Sequence, residues 1–289
     1  MLAIAGAGPI AGALAQRAAA RQRFRQIRLI DESGTQAAGK ALDLRQAGPV
    51  DGYDTRVTGS TALDAAAGAS VVAIADRFDG SEWEGDAGLS LLARLLPMIG
   101  QAPIVFAGAK QLWLMEAAHR ELNVPAWRMA GSAPLAFEGT LRALTALAID
   151  ASAIDIGLRA YGRPPDRMVI AWSSAVSAGA PLEHALPAHQ RLAIADRARA
   201  LWPPGATTLG SAAARVAEAF AHGSRRELTC AVVGDRAGDA GDNYRPARGA
   251  AVALPARFAS GRVLNVNRPA LSSKEQVELD NGFGDLVIS

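Results

Sequence analysis

The chain has 289 residues, half of them hydrophobic and 5% aromatic, with 30 Lys+Arg against 28 Asp+Glu and a formal net charge of +2. That length buries a sizeable core and suits two domains, and the apolar content excludes global disorder. Three of the basic residues are lysine (Lys40, Lys110 and Lys274) and the rest are arginine, without the clustered basic stripe of a nucleic-acid binder.

Taken in chain order, residues 2–5 read as a buried strand and 9–21 as a helix. A second strand covers 27–30 and ends at Asp31, and a helix covers 36–46. A third strand at 71–75, a helix at 89–98, a fourth strand at 104–107, a helix at 111–122 and a short strand at 127–130 complete the first part. Strand and helix alternating at this spacing imply right-handed crossovers and a doubly wound parallel sheet. Near residue 131 the pattern changes. A helix at 134–148 is followed by strands at 154–161 and 168–171. Helices follow at 188–201 and 210–220, then strands at 228–233, 250–255 and 262–266, then a terminal helix at 272–281. Ser272 and Glu275 have the spacing of a capping box for that last helix. The reading is α/β: a Rossmann domain over 1–131 and an α+β substrate domain over 132–289.

Gly6-Ala7-Gly8-Pro9-Ile10-Ala11 lies between the first strand and the first helix. The spacing is G-x-G-x-x-A. Gly6 permits the tight turn, Gly8 permits a diphosphate to approach the backbone, and Ala11 permits close helix packing. Asp31 follows about 20 residues on, where a carboxylate accepts hydrogen bonds from ribose hydroxyls and repels a 2′-phosphate. These residues predict NAD, bound by Gly6, Gly8, Pro9, Ile10, Ala11, Asp31 and Ala75.

Further segments carry a resemblance. Gly39-Lys40-Ala41-Leu42-Asp43-Leu44, residues 69–75, Arg128-Met129-Ala130-Gly131, Trp172-Ser173-Ser174 and Gly205-Ala206-Thr207 stand in the order and spacing of the lactate/malate dehydrogenase family. The chain resembles that family over nearly its whole length. The resemblance implies NAD(H) as partner, hydride exchange with a 2-hydroxy acid, and a homo-dimer or tetramer. It also implies a proton-transferring His, an Asp that orients it, and arginines that clamp the substrate carboxylate.

This chain departs from the family at those positions. The family's G-E-H-G-D falls on Gly162-Arg163-Pro164-Pro165-Asp166, so Pro164 replaces the His. The family's L-D-x-x-R falls on Ala136-Phe137-Glu138-Gly139-Thr140, so Phe137 replaces the Asp and Thr140 the Arg. The loop after the 71–75 strand is acidic over 79–86 and places Ala87 or Gly88 where a catalytic Arg is expected; the family's Asn-Pro becomes Gly108-Ala109-Lys110. Two readings follow. One is an NAD-binding oxidoreductase with a rebuilt, non-standard substrate site. The other is an inactive paralogue acting as nucleotide sensor, scaffold or partner subunit. Ordinary lactate or malate turnover is not expected. Lys110, Arg163 and Asp166 are the remaining candidates for catalysis.

Other features read as structural. His119, His184, His189 and His222 form no metal-binding spacing, so no metal is expected. The single Cys230 excludes a disulfide framework and reads as a small core hydrophobe. No apolar run is long enough for a membrane span, and the apolar start reads as a core strand rather than a signal peptide, so a cytoplasmic location is expected. The arginine excess reads as compositional bias spread over the surface.

Overall fold

The computed structural model describes residues 1–234 and 249–284. Buried apolar runs form the centre of a parallel sheet: β1 (Leu2–Ala5), β4 (Val71–Ile74) and β5 (Ile104–Phe106) are buried at every residue. This is the pattern of strands covered on both faces. With β2 (Gln26–Ile30), β3 (Arg56–Ser60) and β6 (Met129–Gly131) they pair in parallel in the order 3-2-1-4-5-6. The expected fold class is the one observed.

The crossover helices are α1 (Pro9–Ala20), α2 (Gly34–Asp51), α3 (Gly85–Ile99) and α4 (Leu112–Glu121). Two sequence expectations need correction here. β3 was not anticipated, which makes the 71–75 strand the fourth; in Arg-Val-Thr-Gly-Ser only Val57 is buried, so this edge strand has no apolar run to announce it. Helix α2 also runs past the expected end at residue 46, through Pro49, and closes at Gly52 in the left-handed conformation.

The sheet continues beyond residue 131. After α5 (Ala133–Ile149), the run expected as one strand over 154–161 divides. β7 (Ile156–Gly157) joins a small sheet with β10 (Val176–Ser177) and β11 (Ala180–Pro181), while β8 (Ala160–Arg163) and β9 (Arg167–Ile170) form a hairpin in the main sheet. Ile154 is 94% exposed, so the apolar run is not a continuous core strand. Helices α6 (Ala188–Ala200) and α7 (Ala206–His222) precede β12 (Ser224–Val233), β13 (Ala251–Ala259) and β14 (Arg262–Val266). β12 pairs antiparallel with β6 through Ala231 and Gly131, so one sheet spans both halves of the chain. Helix α8 (Ser273–Gly284) begins with the expected capping box: the Ser272 amide donates to Glu275 at 2.8 Å and the Glu275 amide returns to the Ser272 hydroxyl.

One sheet face is covered by α1, α2 and α7, and the other by α3 and α4. The α1–α7 contact is close enough that a Cβ on Gly210 would lie 2.5 Å from the Leu14 backbone nitrogen. Gly210→Ala therefore forces the two helices apart and costs about 1–3 kcal/mol. Urea denaturation of the variant, compared with Ala212→Gly at an ordinary packing position, measures this.

Candidate functional site

The expected nucleotide residues converge at the carboxyl ends of β1, β2 and β4, where open α/β sheets bind ligands. Gly6 has φ +126°, and its amide donates to Ile30 O at 2.7 Å. Pro9 stands at the start of α1, where its missing N–H is not needed, and Gly8 is extended before it. Ala75 accepts the Gln111 side-chain amide at 3.0 Å. Asp31 is 3% exposed and close to the glycine turn.

The groups that a dinucleotide needs are already engaged, however. Asp76, the residue after Ala75, turns its carboxylate onto the first turn of α1. Its Oδ2 accepts the Ile10 amide at 2.9 Å and its Oδ1 accepts the Ala11 amide at 2.9 Å. These free N–H groups and the positive helix end are what an incoming diphosphate would use. The backbone approach at Gly8 is also filled: a Cβ there would lie 2.2 Å from Arg77 O and 2.4 Å from Asp76 Cγ. The Gly8 amide donates to Asp76 O at 3.1 Å, and Lys40 Nζ donates to Gly8 O at 2.7 Å. The residues as arranged do not fit the diphosphate of a dinucleotide.

Two more acids close the same edge. Asp31 Oδ2 accepts the Ala7 amide at 3.0 Å and the Phe78 amide at 3.1 Å, while its Oδ1 accepts Ser33 N at 2.9 Å. Phe78 belongs to the acidic loop, so Asp31 fastens that loop to the glycine turn. The loop returns at Glu82, which bridges to Asp76 in antiparallel fashion. Glu82 then accepts the Ala109 amide at 3.0 Å and the Lys110 amide at 2.9 Å beyond β5. The Arg77 guanidinium lies 4.1 Å from the centroid of the Trp83 ring. A cavity of about 250 Å³ survives beside this loop, lined by Asp31, Arg77, Trp83 and Arg94 among others.

Burial pushes the Asp76 carboxyl above the usual range, against the Ile10 and Ala11 amides and Lys40, which lower it. Burial likewise pushes Glu82 up, opposed by the Lys110 and Ala109 amides. Lys40 is driven down by burial and held up chiefly by Asp76.

The positions that the resemblance sets against the family's catalytic groups lie on α5 and the β8–β9 hairpin. Phe137 is 1% exposed and packs edge-on against Trp202, with ring centroids 5.9 Å apart. The Thr140 hydroxyl turns back to Ala136 O at 3.5 Å. Pro164 forms the hairpin turn with Pro165 through a cis bond. None of the three carries an ionisable group.

The structure does not assemble the weak catalytic candidates into a site. Lys110 is exposed and pairs with Glu84 at 3.4 Å. Arg163 is held by Glu116 of α4 at 2.5 Å. Asp166 is exposed in the hairpin turn. His119 and His222 each place a ring nitrogen against a backbone carbonyl, Val124 O at 3.0 Å and Arg23 O at 2.9 Å. Among the described residues no cluster of three metal-ligating side chains occurs, and no helix is long and apolar enough to cross a membrane.

The parallel order 3-2-1-4-5-6, with a glycine turn opening α1, defines the Rossmann class. Comparison with known proteins places the chain more closely. No family model matches it. It is 30% identical over 207 residues to a malate dehydrogenase from Thermomicrobium roseum, covering 68% of this chain and 67% of that one. It is 28% identical over 302 residues to a malate dehydrogenase from Myxococcus xanthus, covering 98% and 94%. The 1.55 Å resolution structure of malate dehydrogenase from Salinibacter ruber superposes with a TM-score of 0.86 at 20% identity, covering 99% of this chain and 95% of that one. The Cryptosporidium parvum lactate dehydrogenase, complexed with lactic acid and NAD, gives 0.82 at 19% identity over 99% and 95%. The chain belongs to the lactate/malate dehydrogenase family.

Sequence reasoning missed Asp76. The available signal was an acid directly after a fully buried strand that lies beside β1 in this strand order. The raised Asp76 pKa has a measurable sign. The folded protein holds this proton more tightly than the unfolded chain, so the site contributes stability at low pH that is lost as pH rises through the folded pKa. Wild type therefore gains stability relative to Asp76→Asn as pH falls from neutral toward the carboxylate range. Urea midpoints of both proteins across that window test it, and a pH-independent difference would be inconsistent with a buried ionised Asp76.

Proposed function

We propose that this chain is a non-catalytic member of its family. It keeps the dehydrogenase fold but does not exchange hydride between NAD and a 2-hydroxy acid. The observation that carries this reading is the Asp76 carboxylate on the Ile10 and Ala11 amides, where the cofactor's diphosphate would bind. Pro164, Phe137 and Thr140 support it, because proton transfer and carboxylate clamping need groups that these side chains lack. A rebuilt oxidoreductase would need a proton-carrying group beside an open cofactor groove. Lys110 and Arg163 are instead occupied in ion pairs with Glu84 and Glu116.

Two measurements test this. Wild-type protein with NADH and pyruvate, oxaloacetate, or a panel of other oxo-acids, ketones and aldehydes is expected to show no protein-dependent NADH oxidation. Wild type is also expected to show no NADH binding by calorimetry, whereas Asp76→Ala frees two amides, removes a like charge and tightens NADH binding by at least about tenfold. Micromolar NADH binding by wild type would refute the reading. So would a folded Asp76→Ala protein that gains nothing, with Asp76→Asn serving as the shape-conserving control for folding.

A further inference from the structure

A cavity of about 470 Å³ lies away from the nucleotide edge, lined by α6, by the start of α8 and by Ile170, Trp172 and Ser173 at the end of β9. It shares no residue with the glycine turn or the acidic loop, and it sits at the end of β9 remote from the Pro164-Pro165 turn. β9 runs between the two helices: α8 packs on it, and Arg199 of α6 donates to Met168 O at 3.4 Å. The floor is apolar. Ile170 and Ala195 are buried, Trp172 is half-buried and Leu192 is 63% exposed. Apolar walls with a few placed polar groups are the usual make-up of a small-molecule site.

The charges of the lining balance. Arg191, Arg199 and Lys274 stand against Glu183, Glu275 and Glu278. They do not cancel by pairing with one another. Arg199 is spent on Asp196, which is outside the lining, at 3.3 Å, and on Met168 O. Glu183 has His184 at 4.0 Å. Arg191 is half-buried and Glu278 is exposed, and neither has a hydrogen-bond or ion-pair partner among the described residues.

Glu275 is a fixed anion in this lining. It accepts the Ser173 amide at 3.0 Å, the Ser272 amide at 2.8 Å and both serine hydroxyls. Burial raises its carboxyl, but these donors outweigh burial and hold it below the usual carboxylate range. It stays ionised at neutral pH, three residues before Glu278 and on the same face of α8. So α6 presents an unpaired guanidinium and α8 presents two carboxylates, with apolar surface between them.

A lining with no net charge but separated signs favours neither polyanions nor polycations; it complements a ligand that carries both signs. A guanidinium engages a carboxylate through paired N–H donors, which suits the half-buried Arg191 better than the exposed Lys274. We infer that this cavity binds a zwitterion with an apolar side chain, an amino acid or a short peptide. Arg191 takes its carboxylate, Glu278 and Glu275 take its ammonium, and Trp172 and Leu192 take its side chain.

The test is calorimetry on the full chain with two probes, L-phenylalanine and the dipeptide leucyl-phenylalanine. At least one is expected to bind saturably at one site per chain, and the tighter one tells a single amino acid from a peptide. Its N-acetylated and C-amidated forms are each expected to bind at least about tenfold more weakly. Arg191→Gln is expected to weaken the free probe by a similar factor but to change the amidated form little, because that form has already lost the group that Arg191 meets. Glu278→Gln is expected to behave in the same way toward the acetylated form. Arg197→Gln, on α6 but outside the lining, leaves binding unchanged. Absence of saturable binding by both probes overturns the inference. Equal binding of free and blocked forms overturns it too, since it would leave only an apolar groove, and so does an equal loss in Arg197→Gln.

Discussion

A helix start carries amide groups that must find acceptors, and in this protein Asp76 supplies them. Both of its carboxylate oxygens are spent on the first turn of α1, at Ile10 and Ala11. That contact ties the end of β4 to the turn after β1. The backbone bond from Gly8 to the Asp76 carbonyl closes the same junction from the other side. A carboxylate here does locally what a bound phosphate does elsewhere: it meets the helix dipole and satisfies the free amides. The helix end is favourable for an anion whether the anion is a ligand or a side chain.

The rest of the sheet edge follows from that junction. Once Asp76 draws the 76–83 loop down, Asp31 lies within reach of the Phe78 amide, and Glu82 reaches the amides of Ala109 and Lys110. Three acids and seven backbone donors then knit β1, β2, β4 and β5 together at their carboxyl ends. Asp31 and Asp76 are buried and Glu82 is half-buried, and for Asp76 and Glu82 burial outweighs the amide bonds in setting the carboxyl's affinity for its proton. Pro164, Phe137 and Thr140, at the positions the resemblance aligns with the family's catalytic groups, fit the proposed non-catalytic reading, because none of them carries an ionisable group.

Much of this was legible from the sequence. The glycine turn, Asp31 and the buried strands announce a Rossmann sheet because their spacing is local. β3 was not legible because Arg56, Gly59 and Ser60 dilute its one buried residue, Val57. The role of Asp76 was hidden because its partners lie about sixty-five positions earlier, and only the adjacency of β1 and β4 brings them together. The resemblance pointed to Pro164, Phe137 and Thr140, but it could not show the Asp76 carboxylate on the first turn of α1.

The central claim is that Asp76 occupies the cofactor's anion site in the folded protein. Amide hydrogen exchange of Ile10 and Ala11, followed with and without NADH at high concentration, tests it directly. The account predicts that both amides are protected in the protein alone and that NADH leaves their exchange unchanged. Fast exchange in the protein alone, slowed when NADH is added, would contradict it.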